Sequence, residues 1–222
     1  MKRFAIAIDG PSSSGKSTVA KIIANKLNFL YVDTGAMYRA FTYACLKDNI
    51  DPKDEEKAIS LIGKINISFN EENHITLNGV DVSKEIREND VADNVSYISS
   101  YKDIRVELVR LQREIAKKAN VVMDGRDIGS HVLKNADVKI YQVAEAKERA
   151  KRRYKENLAK GIECSFEDIL KNIEKRDYID SHRAFSPLTK ANDAIVLDTT
   201  YMSIEEVANS ILKIIKDKGL DL

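Results

Sequence analysis

The chain is poor in residues that staple, punctuate or anchor a fold. Of its 222 residues, two are cysteine, Cys45 and Cys164, far apart and without metal-type spacing. That excludes a disulfide framework, and reduced thiols in a cytosolic protein are expected. Three prolines and no low-complexity tract leave no disordered linker. No apolar run approaches the ~20 residues of a membrane-spanning helix. Met1-Lys2-Arg3 before apolar residues opens like a signal peptide, but Asp9 ends the run far too early. Neither charge dominates: 36 Lys+Arg against 35 Asp+Glu give a net charge of +1, which argues against a nucleic-acid coat or an acidic tail. What is present is 43% hydrophobic residues, enough for a sizeable core in one domain with an insertion or in two compact lobes.

One stretch organises the rest. Phe4 to Ile8 is a short apolar, β-branched run that stops at Asp9. Gly10-Pro11-Ser12-Ser13-Ser14-Gly15-Lys16-Ser17 then meets every fixed position of G-x-x-x-x-G-K-[ST]. After it, Val19, Ala20, Ile22, Ile23 and Leu27 recur at amphipathic-helix spacing. Strand, tight loop and helix follow in the order that the motif's chemistry needs. The glycines let the backbone curl so that N–H groups form an anion nest, and the helix adds unpaired N–H groups and its positive dipole end. Lys16 brings a full charge for the outer phosphates, and the Ser17 hydroxyl suits Mg²⁺, a hard cation. An ordinary Gly/Ser turn would explain the glycines but not this context. The expected ligand is the phosphate chain of a nucleoside triphosphate on Gly10, Pro11, Ser12, Ser13, Ser14, Gly15, Lys16, Ser17 and Thr18.

Further strands recur between helices. Phe29 to Val32 ends at Asp33-Thr34-Gly35, with a helix from Ala36 to Leu46. Asp33 stands at a strand end, where open α/β sheets place ligands, and also suits a helix N-cap. Arg39, read alone, fits a solvated helix face. Val121-Val122-Met123 ends at Asp124, the Walker B form in which a strand-end carboxylate holds Mg²⁺ or its water. Arg126-Asp127 follow at once; a salt-bridged turn is the plain alternative. Between these, Ile65 to Phe69 and His74 to Leu77 alternate, and Asn78-Gly79 marks a hairpin with Val80 to Val82. His74 is expected to face solvent. Helices are expected over Glu56 to Lys64, Asp90 to Tyr101 and Asp103 to Lys118. Val138 to Val143 and Ala194 to Asp198 complete the strands, with helices from Glu145 to Lys160, from Ser165 to about Arg183, and after Ser203. About five β-α units predict an α/β fold: three layers, α/β/α, around a mostly parallel five-stranded sheet, with a small antiparallel insertion.

Arginines supply the next clue. Arg39, Arg105, Arg126, Arg149, Arg152, Arg153, Arg176 and Arg183 lie mostly near predicted element ends. Arginine grips phosphate bidentately, and a second phosphorylated substrate needs its own set. The pattern suits a small kinase with two nucleotide pockets. It suits a GTPase poorly, since neither Asn-Lys-x-Asp nor a clear Asp-x-x-Gly is found.

At this point a specific likeness emerges. Ile8-Asp9-Gly10-Pro11 with its loop, Asp33-Thr34-Gly35-Ala36-Met37-Tyr38-Arg39, Asp124-Gly125-Arg126-Asp127-Ile128-Gly129, Arg176-Asp177 with Asp180 and Arg183, Pro187-Leu188 and Leu197-Asp198 resemble the bacterial cytidylate kinase family over nearly the whole chain, insertion included. The resemblance implies ATP-dependent phosphorylation of CMP and dCMP in a single domain. Its core would be residues 1–60, 101–145 and 184–222, its NMP-binding insertion about 61–100 and its lid about 146–183. It implies that Thr34, Arg39 and Arg126 hold the CMP phosphate. Ser96, Arg105 and Asp127 would read the cytosine edge, and Arg176, Asp180 and Arg183 would hold the ribose. Lys16, Arg126, Arg149, Arg152 and Arg153 would be catalytic, the last three bringing lid charge onto the ATP phosphates. Many members carry Ser at the position of Thr34; the hydroxyl is kept and a methyl is added. Ser17 with Asp33 and Asp124, the carboxylates directly or through water, would hold Mg²⁺. The expected partners are ATP and CMP or dCMP, with no nucleic acid and no membrane, in a monomeric cytoplasmic protein. Another small-acceptor kinase, or an ATP-binding module without acceptor chemistry, are the competing readings.

Overall fold

The computed structural model describes residues 3–159 and 161–219. The expected helix end at Lys160 and the Met1-Lys2 part of the leader-like start lie outside the described residues. The chain forms two compact units, one of residues 1–32 with 116–222 and one of residues 33–115.

The first unit carries the central sheet. Its strands are β1 (Ala5–Asp9), β2 (Leu30–Asp33), β6 (Val121–Gly125), β7 (Val138–Val143) and β8 (Ile195–Asp198), in the order β2-β6-β1-β7-β8. β1 runs parallel to both β6 and β7, and β7 runs parallel to β8. The register sets Asp9 beside Gly125 and Ile8 beside Asp124, so both acid-ended strands finish at one level. Ile6, Ile8, Val122, Val138 and Ile140 pack with Val19 and Ile23 of α1 (Lys16–Leu27) and Val207, Ile211 and Ile215 of α8 (Ile204–Asp217). A continuous apolar strand run needs cover of this kind. α8 opens with a complete capping box between Ser203 and Glu206. The expected lid segment is a helix pair, α6 (Ala146–Ala159) and α7 (Phe166–His182), closed around Ala150, Ile169 and Ile173.

The second unit holds α2 (Thr34–Lys47), α3 (Glu55–Ile59), α4 (Asn89–Ile98) and α5 (Lys102–Lys118, whose last residues belong to the other unit). Its antiparallel sheet is β3 (Ile67–Phe69), β4 (Ile75–Leu77) and β5 (Val80–Asp81). Asn78 and Gly79 both take positive φ, 52° and 81°, the demand of a tight two-residue hairpin. Ile67, Ile75 and Leu77 pack with Met37, Phe41, Ile98, Ile104 and Leu108. His74 is exposed as expected, its ring bonded to Asp81 at 2.9 Å.

Candidate active site

The loop after β1 is shaped by contact with β7. A Cβ on Gly10 would lie 2.3 Å from the carbonyl oxygen of Gln142, so only glycine lets the chain leave the strand there. Gly15 closes the loop at φ 85° in the left-handed region. No side chain caps α1, which leaves its first N–H groups to an anion. Lys16 is buried and donates from Nζ to the Pro11 carbonyl at 3.1 Å, folded over the loop it belongs to.

Asp124 stands one residue before the end of β6, with both oxygens engaged. Oδ2 accepts from Ser17 at 2.8 Å, and Oδ1 accepts from the Tyr31 hydroxyl at 2.8 Å. A hydroxyl and a carboxylate in contact at the end of a phosphate-binding loop form a hard-oxygen donor set that fits Mg²⁺.

Two arginines of α6 brace the loop from its backbone. Arg149, buried, donates to the carbonyls of Ser12 at 2.9 Å and Ala144 at 2.8 Å, and pairs with Asp177 at 2.6 Å. Asp177 also accepts from the Ser12 N–H at 3.4 Å. Arg152 donates to the carbonyls of Thr199 at 2.5 Å, Thr200 at 2.9 Å and Ser14 at 3.5 Å. The amide of Gln142 donates to the same Ser14 carbonyl at 2.5 Å and reaches the Thr199 hydroxyl at 3.3 Å. The family resemblance gives Arg149 and Arg152 to the ATP phosphates; here Arg149 bonds the backbone of the loop itself, and Arg152 bonds chiefly the Thr199 and Thr200 carbonyls after β8. Arg153 is half-buried on the same helix.

A second constellation joins the DGRD turn to the end of α7. Arg126 donates from Nε to Asp180 Oδ2 at 2.8 Å. Arg183 approaches Asp180 at 3.8 Å and Asp127 at 3.5 Å, and its Nε donates to the Ser186 carbonyl at 2.7 Å. Ser186, held at φ 51°, donates its hydroxyl to Asp127 Oδ2 at 2.5 Å. Burial works to raise the Asp180 carboxyl, but Arg126, Arg183 and Arg176 outweigh it and hold Asp180 below the ordinary range. Burial also works against the Arg126 charge, and Asp180, Asp177 and Asp124 more than restore it. Among the expected residues, Arg126, Asp127, Arg176, Asp180 and Arg183 thus form one electrostatic group. The salt-bridged turn that the sequence allowed is present, on the residues expected to bind ligand.

Asp33, Thr34, Arg39, Ser96 and Arg105 belong to the second unit. Asp33 caps α2 by accepting from Ala36 N–H at 2.8 Å and pairs with Arg39 at 2.9 Å. Thr34 is buried in the first turn of α2, and Ser96 is buried on α4. Arg105 is fully buried, stacked over the Tyr38 ring at 5.3 Å and donating to the Ser99 carbonyl at 2.9 Å. Burying a guanidinium so completely is costly unless it is paired and hydrogen-bonded.

The model of one protein family, described as cytidylate kinase, matches residues 6–217. The chain belongs to the cytidylate kinase family. Within that family it is 48% identical over 221 residues to the cytidylate kinase of Bacillus subtilis, covering 98% of this chain and 99% of that one. The Leuconostoc mesenteroides cytidylate kinase is 53% identical, with 98% of each chain covered. That of Enterococcus faecalis is 50% identical with both chains fully covered. Among solved structures, TT1252 from Thermus thermophilus superposes with a TM-score of 0.51 at 17% identity, covering 100% of both chains, which speaks for the fold alone. An uncharacterized protein from Eubacterium ventriosum does so with a TM-score of 0.53 at 15% identity, covering 97% of this chain and 99% of that one. As a member of the cytidylate kinase family the protein is an enzyme, a kinase that binds nucleotides.

Sequence reasoning missed Tyr31, Gln142 and Ser186, which bond Asp124, Ser14 and Asp127, and the part played by Asp9, which bonds the backbone just after Asp127. Ser186 had one weak signal, its place beside Pro187-Leu188 in the family-like segment. Asp9 stood out only as the end of an apolar run in a family-like segment, and Tyr31 and Gln142 are single polar residues inside apolar strands, where a buried polar group must find a partner.

Proposed function

We propose that the protein transfers the γ-phosphoryl group of ATP directly to the phosphate of CMP or dCMP, giving ADP and the pyrimidine nucleoside diphosphate. The observation that carries this reading is the family match from residue 6 to residue 217, which spans the GPSSSGKS, DTGAMYR and DGRDIG segments together.

In this reading the loop Gly10 to Thr18 cradles the ATP phosphates, and Lys16 leaves the Pro11 carbonyl for the outer phosphate oxygens. Arg149 and Gln142 keep the Ser12 and Ser14 carbonyls turned away from the anion, so that N–H groups face it; Arg152 and Arg153 add charge from α6. Ser17 and Asp124 would hold Mg²⁺, with Asp33 acting through water; when bound, the ion neutralises charge developing on the transferred group. Thr34, Arg39 and Arg126 are assigned to the acceptor phosphate, and Arg176, Asp180 and Arg183 to the ribose. Asp127, Ser96 and Arg105 are assigned to the cytosine edge. A carboxylate accepts from the cytosine amino group but meets an oxygen at that place in uracil, which leaves a buried acceptor without a donor. The acceptor phosphate is already an anion, so no strong general base is needed and positioning does most of the work.

We further assign about 61–100 as the nucleoside-monophosphate-binding insertion and about 146–183 as the lid, in a monomeric cytoplasmic protein. Among the described residues no helix is long and apolar enough to cross a membrane. The test is CDP formation by purified protein from MgATP and CMP, compared with dCMP, UMP, AMP and shikimate. CMP and dCMP are expected to lead. A strong preference for UMP would overturn the base assignment, and ATP binding without CDP formation would overturn the reaction.

A further inference from the structure

Asp9 is the last residue of β1, directly before the phosphate-binding loop, and its carboxylate is buried. Both of its oxygens are taken by backbone far along the chain. Oδ1 accepts from the Ile128 N–H at 2.7 Å and Oδ2 from the Gly129 N–H at 2.8 Å. These are the first two N–H groups of the helical turn Ile128–Val132, whose preceding residue is Asp127 and whose own side-chain cap is missing. A carboxylate 119 residues away in sequence therefore caps the turn that carries Arg126 and Asp127. The fit is close: a Cβ on Gly129 would lie 3.4 Å from Asp9 Oδ2 and 3.1 Å from the Lys139 side chain.

We propose that Asp9 is a positioning residue, which through Ile128 N–H and Gly129 N–H holds the Arg126-Asp127 turn in register with the first residue of the phosphate-binding loop. The inference rests on the reading of Arg126 and Asp127 as acceptor-binding residues. A rigid tie between the residue before the donor loop and the acceptor turn is what in-line transfer needs, because a small misplacement of either reactant costs rate steeply.

The charged groups around Asp9 do not substitute for those two N–H groups. Burial, the largest influence, and the nearby Asp127 charge push the Asp9 carboxyl up to about 7, while the Gly129 and Ile128 N–H groups and Lys16 pull it down. Lys139 of β7, packed on the same turn, spends its ammonium on Asp193 and the Lys134 carbonyl. Tyr141 of β7 faces the Asp9 charge, and His131 lies on the turn itself, its ring against Phe185. Above its pKa Asp9 accepts both N–H groups; once protonated it presents an O–H to one of them, and the tie loosens.

The test is Asp9→Asn, assayed for kcat and KM with CMP, for binding of a fluorescent ATP analogue, and across pH. The amide keeps the shape but can accept only one of the two N–H groups. A fall of about thirty-fold in kcat/KM for CMP is expected, the worth of one charge-assisted hydrogen bond, with ATP binding within about two-fold of wild type. The wild-type to variant ratio of kcat/KM should rise as pH increases through about 7. The acceptor phosphate's own ionisation, near ~6, is common to both proteins and cancels in the ratio. If Asp9→Asn does not fold, Gly129→Ala crowds the same grip while keeping the carboxylate, and the same CMP-selective loss is expected. Equal losses for ATP and CMP, or a ratio flat in pH, would overturn the proposal. Wild-type protein that makes no CDP would instead refute the functional reading beneath it.

Discussion

The Ser17 hydroxyl donates to Asp124 at 2.8 Å, joining the end of the phosphate-binding loop to the end of β6 across 107 residues of chain. The Tyr31 hydroxyl takes the other Asp124 oxygen. The carboxylate is thus oriented before any ligand arrives, and a preorganised group spends no energy on turning during the reaction.

From this pair follows the first prediction. Asp124→Asn should lower kcat by about a hundred-fold, the usual loss for removing one charged group that acts on the transition state. The Mg²⁺ concentration for half-maximal rate should rise. Tyr31→Phe keeps Ser17 and the charge, and should cost about ten-fold or less. Steady-state CDP formation over a magnesium titration measures both. An Asp124→Asn protein with wild-type magnesium dependence would remove Asp124 from the metal site.

A second prediction concerns Asp180, buried between Arg126 and Arg183. Asp180→Ala leaves two largely buried guanidiniums without their shared acceptor. Breaking such a pair from one side costs about 3–5 kcal/mol, and KM for CMP should rise as well. The pH dependence has a definite sign. The arginines hold Asp180 below its unfolded value, so its contribution is present above about 3.9 and fades as pH falls toward the folded value. Urea denaturation at neutral and acid pH should show the Asp180→Ala penalty shrinking in acid. A penalty that grows on acidification would contradict the ion-pair account.

The third prediction concerns base selection. Asp127 accepts from Ser186 on one oxygen and lies 3.5 Å from Arg183 on the other. Asp127→Asn should reduce the preference for CMP over UMP by about ten- to a hundred-fold, because an amide can donate to the uracil oxygen. Ser186→Ala keeps the carboxylate but frees its orientation and should reduce the preference by about ten-fold or less. Competition assays with CMP and UMP in one tube measure the ratio. Unchanged discrimination in Asp127→Asn would remove Asp127 from base reading.

The contacts behind these predictions differ in how legible they were in the sequence. Gly10 to Ser17 was legible because its chemistry is local: strand, turn and helix lie within one stretch, the glycines answer to the backbone, and Lys16 and Ser17 answer to the ligand. The hairpin at Asn78-Gly79 was legible for the same reason, as was the strand-end placement of Asp124. Partners were not. Nothing in the spacing says that Asp9 grips the backbone at Ile128, that Gln142 holds the Ser14 carbonyl, or that Tyr31 shares Asp124 with Ser17. Those pairs are made by strand order, since β6 and β7 flank β1 and β2 lies beside β6, and strand order is a property of the whole fold. The arginines show the same limit. Composition marked them as anion-binding candidates, yet Arg149 and Arg152 sit on carbonyls, because a guanidinium satisfies a crowded backbone as readily as a phosphate.

That distinction leads to the last prediction. Arg149 serves three acceptors from one planar fork: the Ser12 and Ala144 carbonyls and the Asp177 carboxylate. Lysine carries the same charge but a single donor centre, and cannot span all three. If Arg149 acts chiefly by holding the loop, Arg149→Lys should fail nearly as badly as Arg149→Ala. Both should lose about 2–4 kcal/mol of stability for the buried partners left unsatisfied, with ATP binding weakened before chemistry is considered. If instead its charge on the phosphates were what mattered, Arg149→Lys would recover most of the rate and bind ATP normally. Thermal melting, ATP affinity and kcat measured on the two variants side by side separate these outcomes. Restoration of ATP binding by lysine would show that the backbone bonds seen here do not set the shape of the loop.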